Sequence, residues 1–179
     1  MYLKSKLKSL KGLFNSTKFK MEVINMNPSI FAIPHKVEIP AGAYGVWQLP
    51  ELGVSIPVYR AFGYAAQKIV DTENAASLQN FGVGKLIADH AASLSNGGKG
   101  SWDLWKCHPD DSAFFILPNE TQQYRCISVS RVKVLRGGYQ LDGAGVYLRL
   151  PTDIACVGCV DPEGKENYMA IFKLTGKLP

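Results

Sequence analysis

The stretch Tyr44-Gly45-Val46-Trp47-Gln48-Leu49-Pro50-Glu51-Leu52-Gly53-Val54-Ser55-Ile56-Pro57-Val58-Tyr59 decides how the chain is read. Two short runs rich in β-branched and aromatic residues, Val46–Leu49 and Val54–Tyr59, flank Pro50-Glu51-Leu52-Gly53, whose proline and glycine are turn residues. The stretch predicts a β-hairpin.

Downstream, the same vocabulary recurs. Lys85–Ala88 reads as a buried strand entered through Gly82 and Gly84 and ending at Asp89-His90, before a glycine-rich loop over 93–101. Phe114–Leu117 and Gln123–Val129, separated by Pro118-Asn119-Glu120, predict a second hairpin that Arg131–Leu135 extends or follows. Gly137-Gly138 turns the chain. Val146–Leu150 and Ile154–Cys159 predict further strands, and Asp161-Pro162-Glu163-Gly164 turns into a last one over Tyr168–Leu174. Tyr64–Ile69 and Asn74–Leu78 read as short helical pieces, and residues 21–40, interrupted by Pro28, Pro34 and Pro40, as an edge strand or extended lead-in. Seven to nine short strands with little helix predict an all-β domain, a barrel closed or nearly so.

The chain has 179 residues, 46% of them hydrophobic, enough for one core of ordinary size. The formal charge of +5 is unevenly placed. Lys4, Lys6, Lys8, Lys11, Lys18 and Lys20 stand among the first 20 residues without an acid, so 21–179, with 14 basic and 15 acidic residues, is close to neutral. The organisation expected is a basic N-terminal segment, 1–20, and one barrel domain, 21–179. A nucleic-acid partner is not expected, because that needs basic residues spread over the folded surface. Leu3, Leu7, Leu10 and Phe14 recur at helical spacing between the lysines, the pattern of a basic amphipathic helix that either lies on an anionic membrane surface or, cut short by Gly12 and Asn15-Ser16-Thr17, is solvated or loosely docked. With no secretory h-region and no apolar run long enough to span a bilayer, a cytoplasmic protein, peripheral to the membrane at most, is expected.

Chemistry is sought among three histidines and four cysteines. His35 and His108 sit in loop-like surroundings, whereas His90 closes an apolar strand and opens a loop, held by a rigid element yet reaching solvent. Cys156 and Cys159 end the Ile154–Cys159 strand. A thiol so placed, with an imidazole in reach, is a nucleophile with its base beside it. Cys107 and Cys126 lie among apolar and aromatic neighbours and read as small core residues. Cys156-Val157-Gly158-Cys159 also has the C-x-x-C spacing of a zinc site, with Cys107 and His108 as the remaining donors, although no cofactor is called for by the leading reading.

These residues resemble the sortase-like cysteine transpeptidases. Tyr44–Tyr59 is similar to the opening hairpin of a sortase barrel, and Gly84-Lys85-Leu86-Ile87-Ala88-Asp89-His90 to the strand ending in the family's catalytic histidine, with Ala-Asp-His where Ala-Gly-His is commoner. Over residues 40 to 175 the resemblance implies a sortase barrel. It further implies a thiol transpeptidase or peptidase with His90 as acid and base and Cys159 as nucleophile, Cys156 being the alternative. The substrate implied is a peptide or protein with an LPxTG-like signal, and the acceptor an amine. Two departures stand out. Sortases place Thr before the nucleophile, where Gly158 stands here. They also carry Arg at the start of the last strand, where Asn167 stands nearest and offers an oxyanion a neutral amide. The alternatives that follow are a sortase-fold binding module with impaired catalysis and a Cys/His zinc-binding β domain.

Overall fold

The computed structural model describes residues 34–72, 74–91, 100, 102–136, 138–159 and 165–178. The basic helix expected over 1–20, its boundary at residue 20, most of the 93–101 loop and the 161–164 turn lie outside the described residues.

The hairpin forms where the sequence places it. Strand β1 (Gly45–Leu49) pairs antiparallel with β2 (Val54–Arg60), Trp47 opposite Ile56, and the connection is a 3-10 turn over Pro50–Leu52. Proline opens that turn, and Gly53 closes it at φ 66°, a left-handed conformation glycine adopts without strain. Alternation in β2 sends Val54, Ile56 and Val58 inward.

Helix α1 (Tyr64–Thr72) follows and extends beyond the short piece expected over Tyr64–Ile69. Next come β3 (Ala76–Phe81), β4 (Gly84–Asp89), β5 (Ser112–Ile116), β6 (Thr121–Leu135), β7 (Gly138–Leu141), β8 (Ala144–Val146), β9 (Ile154–Cys159) and β10 (Glu166–Leu178). Neighbouring strands run β10-β9-β4-β3-β2-β1-β5-β6, and β6 pairs with β10 to close an eight-stranded barrel. The expected all-β barrel is therefore present and closed. β7 and β8 continue from β6 beyond the closure.

Two expectations are corrected. Asn74–Leu78 is not helical: Ala76 begins β3, which lies parallel to β2 (Val58 opposite Ala76) and antiparallel to β4, so two ladders override a locally ambiguous Ala-Ala-Ser-Leu run. Val146–Leu150 is not a strand beyond Val146. There Leu148 instead packs against the barrel wall and its carbonyl accepts the Val83 N–H. Of the two alternatives for 21–40, the described part, 34–40, is a lead-in without strand pairing. It is pinned by the Gln48 side chain, which accepts from the His35 N–H at 3.0 Å and donates to the His35 carbonyl at 3.1 Å.

Two apolar clusters face opposite sides of the barrel wall. The interior one is built on Trp47, which meets Phe115, Tyr124 and Phe172 at centroid distances of 5.7, 5.4 and 5.4 Å. Cys107, Cys126 and Cys156 belong to it. The second cluster, with Leu86, Ala155, Val157, Met169 and Leu148, lies on the outer face, where Tyr139 and Leu141 of β7 and Val146 of β8 cover it. That covered face positions the site. Among the described residues no helix is long and apolar enough to cross a membrane.

Candidate active site

Strand phase brings the candidate residues together. β4 and β9 are parallel, with Asp89 opposite Gly158, and β9 and β10 are antiparallel, with Cys159 opposite Asn167. Side chains alternate along a strand. His90 therefore continues the phase of Leu86 and Ala88, Cys159 that of Ala155 and Val157, and Asn167 that of Met169 and Ile171, all on the outer face. Three chemically able side chains from adjacent strands meet at one end of it.

His90 Nδ1 and Cys159 Sγ lie 3.9 Å apart, at the outer limit for a hydrogen bond to sulfur. Cys159 is half-buried and is the one described cysteine that is not buried. Cys156, the alternative nucleophile, lies three residues back on the opposite face. It is fully buried in the barrel interior, and burial pushes its thiol well above the ordinary value. The same opposition dismantles the zinc reading: a C-x-x-C pair along a strand cannot converge on one ion, and among the described residues no three His, Cys, Asp or Glu side chains form a metal-sized group. His35 and His108 lie elsewhere, His35 by Gln48 and His108 in the turn before β5, where its N–H donates to Asp111 at 2.7 Å.

Asp89, the departure from Ala-Gly-His, is buried, and its Oδ1 accepts the His90 backbone N–H at 2.7 Å. The carboxylate fixes the backbone that carries the imidazole. Gly158, the departure before Cys159, also has a local cause. A Cβ there would meet the buried Trp102 indole at 3.1 Å from Nε1 and 3.2 Å from Cδ1, so the indole occupies the space that Thr would need.

Two residues missed in the sequence complete the site. The first is Asp71 in the last turn of α1, whose Oδ1 lies 2.7 Å from His90 Nε2 and accepts from Gln67 Nε2 at 2.8 Å. The second is Tyr139 of β7. Burial raises its phenol above the ordinary value, opposed by a hydrogen bond from the Asn167 side chain and reinforced by the nearby Cys159. Asn167 is 8% exposed and its Oδ1 finds no hydrogen-bond partner, so the amide meets Tyr139 through Nδ2. Neither residue carries a local motif. Both arrive from elements outside the β4-β9-β10 trio.

The cavity these groups line has a volume of about 270 Å³, walled by Ala66, Gln67 and Val70 of α1, Tyr139 of β7, and His90, Cys159 and Asn167. None of the described residues lining it is Lys or Arg. Arg131, the arginine paired across the start of β10, turns away and binds Glu166. The cavity thus holds a thiol, an imidazole, an amide and a phenol, the components of nucleophilic attack on a carbonyl, with neutral groups in the place of a cation.

No family description and no curated protein matches the sequence. The structure, by contrast, is similar to solved sortases. Against sortase A of Listeria monocytogenes the TM-score is 0.53 at 14% identity, covering 76% of this chain and 89% of that one. The sortase SrtA of Actinomyces oris gives 0.56 at 12%, covering 83% and 89%. Sortase E1 of Streptomyces coelicolor, whose structure holds a tripeptide in the active site, gives 0.54 at 15%, covering 80% and 94%. Identities this low speak to the fold, and on barrel closure, strand order and these superpositions together the chain has a divergent sortase-like fold.

Proposed function

We propose that the chain is a sortase-like thiol transpeptidase or peptidase acting on a peptide or protein through Cys159 and His90. The observation that carries the proposal is the 3.9 Å approach of His90 Nδ1 to Cys159 Sγ at the mouth of an outer-face cavity, with the other three cysteines buried. The fold's likeness to sortases gives the reaction class its direction.

In the first half-reaction His90 Nδ1 takes the thiol proton, and the sulfur attacks the peptide carbonyl carbon. The C–S bond forms as the C–N bond breaks, and the same nitrogen returns the proton to the departing amine. In the second half-reaction an amine acceptor, or water, loses its proton to Nδ1 as it attacks the thioester, and the thiol is regenerated. The Asn167 amide supplies the oxyanion's donor, with Tyr139 beside it in the cavity wall. A neutral amide replaces the guanidinium that the family resemblance implies, and stabilises the oxyanion less.

A second reading, a peptide-binding barrel without turnover, is favoured by that missing cation. A peptidyl vinyl sulfone separates the two. The enzyme reading expects one covalent adduct by intact mass, mapped to Cys159, kept in Cys156→Ala and absent in Cys159→Ala. Equal adduct counts on wild type and Cys159→Ala would refute it, and reversible binding without an adduct would establish the binding module.

A further inference from the structure

Asp71 sits at the end of α1 where the helix dipole disfavours a carboxylate. A carboxylate in the last turn of a helix faces the negative end of the macrodipole, and α1 has no basic residue in that turn to offset it. What Asp71 does have is a ring. Its Oδ1 lies 2.7 Å from His90 Nε2, and Gln67, one helical turn earlier, donates to the same oxygen at 2.8 Å and aims it. The Asp71 side chain is 47% exposed and that of His90 29%, so the pair is partly wet and contributes little as a fold-holding ion pair.

Its chemical consequence lies on the far side of the imidazole. A carboxylate only accepts, so Nε2 must carry a proton, and in the neutral ring the lone pair then belongs to Nδ1. Nδ1 is the nitrogen that faces Cys159 Sγ. Cys159, His90 and Asp71 thus stand in line: nucleophile, base, and an acid that orients the base.

We propose that Asp71 is a positioning residue that holds His90 in its Nε2–H tautomer and in the ring orientation that presents the Nδ1 lone pair to Cys159. The role rests on the reading of His90 and Cys159 as a working pair. It places the third member of the constellation on α1, an element outside the barrel ladder, so that motion of the helix end would tune the base.

The test uses the intact protein and needs no substrate. Two-bond proton–nitrogen correlation spectra report the His90 tautomer at about pH 8.5, where an ordinary imidazole is neutral, and iodoacetamide alkylation of Cys159, followed by peptide mapping, reports the readiness of the thiol. Asp71→Lys is the discriminating variant. It puts a cation where the helix dipole favours one, so a merely structural residue would be replaced without loss, while the ammonium donates to Nε2 and moves the proton to Nδ1.

Wild type should show the Nε2–H form. Asp71→Lys should show the Nδ1–H form with alkylation slowed about tenfold or more, less than the roughly 10⁴-fold known for a fully buried acid because Asp71 is half-exposed. Asp71→Glu should keep the wild-type tautomer and an alkylation rate within about threefold of wild type. An unchanged tautomer and unchanged alkylation in Asp71→Lys would overturn the proposal. If His90→Ala alkylates as fast as wild type, the His90–Cys159 reading fails instead, and the tautomer spectra show which of the two has failed.

Discussion

Replacing Gly158 by Thr, the residue sortases place before the nucleophile, should damage this protein. The backbone at 158 is ordinary strand, so conformation does not forbid a side chain; the Trp102 indole does. A Cβ would lie 3.1 Å from Nε1 and 3.2 Å from Cδ1 of a side chain that is 1% exposed and enclosed by the interior cluster, so the ring must shift by a few tenths of an ångström. Overpacking of this kind costs about 1–3 kcal/mol. Moving the ring also strains the hydrogen bond from Nε1 to the Val157 carbonyl, 3.2 Å long and buried, whose outright loss would cost about 1–3 kcal/mol. Against these stands up to about 1 kcal/mol from the better strand propensity of Thr. Gly158→Thr should therefore lose about 2–4 kcal/mol, and Gly158→Ala, with one methyl, about 1–2 kcal/mol. Urea unfolding followed by tryptophan fluorescence reads the loss as a midpoint lowered by about 1–2 M for Thr, at a slope of about 2 kcal/mol/M. Combining Gly158→Thr with Trp102→Leu should cost less than the two changes separately, by about 1–2 kcal/mol, because the smaller side chain makes room. A Gly158→Thr midpoint equal to wild type, or strict additivity with Trp102→Leu, would refute the claim that the indole explains the glycine.

Two further outcomes can be measured on the folded protein. Tyr139→Phe removes the hydroxyl that the buried Asn167 amide contacts, and should lower stability by about 1–2 kcal/mol in the same urea assay, whereas Tyr147→Phe, at an exposed ring, should leave it unchanged. Alkaline pH should destabilise the barrel through its interior thiols. Burial raises Cys107 to about 12 and Cys126 to about 11, and pushes Cys156 up as well, from an ordinary value of 9.0. The folded chain holds those protons after the unfolded chain has released them, so the thiols' contribution is complete below about pH 9 and falls as pH rises toward 11–12. Cys126→Ala should flatten the decline in midpoint between about pH 8 and pH 10.5, and an unchanged slope would contradict the assignment.

The sequence disclosed what strand phase and turn chemistry carry. The Tyr44–Tyr59 hairpin was legible because Gly53 and Pro50 punctuate two β-rich runs, and Ile154–Cys159 because an unbroken apolar run reads as a strand buried on both faces. Ala76–Phe81 was not, since Ala and Ser favour no state strongly and its strand character comes from pairing with β2 and β4. The β7–β8 hairpin escaped notice for a related reason. Gly138–Leu141 and Ala144–Val146 are short, and they owe their order to packing on the outer cluster. At the site, His90 and Cys159 could be singled out because each ends a strand. The choice between Cys156 and Cys159 was open to the same logic, as period two puts Cys156 in phase with the interior Ile154. Asp71 and Tyr139 were beyond it, for nothing along the chain announces that a helix end and a hairpin will close on the same imidazole and amide.

Competitive alkylation tests directly the proposal that His90 makes Cys159 the reactive thiol of this barrel. Native protein given limiting iodoacetamide and then mapped by mass spectrometry should carry the label on Cys159 well before Cys107, Cys126 or Cys156. His90→Ala should slow the labelling of Cys159 about tenfold or more while leaving the other three unchanged. Faster labelling of Cys156, or a Cys159 rate indifferent to the loss of His90, would contradict the account.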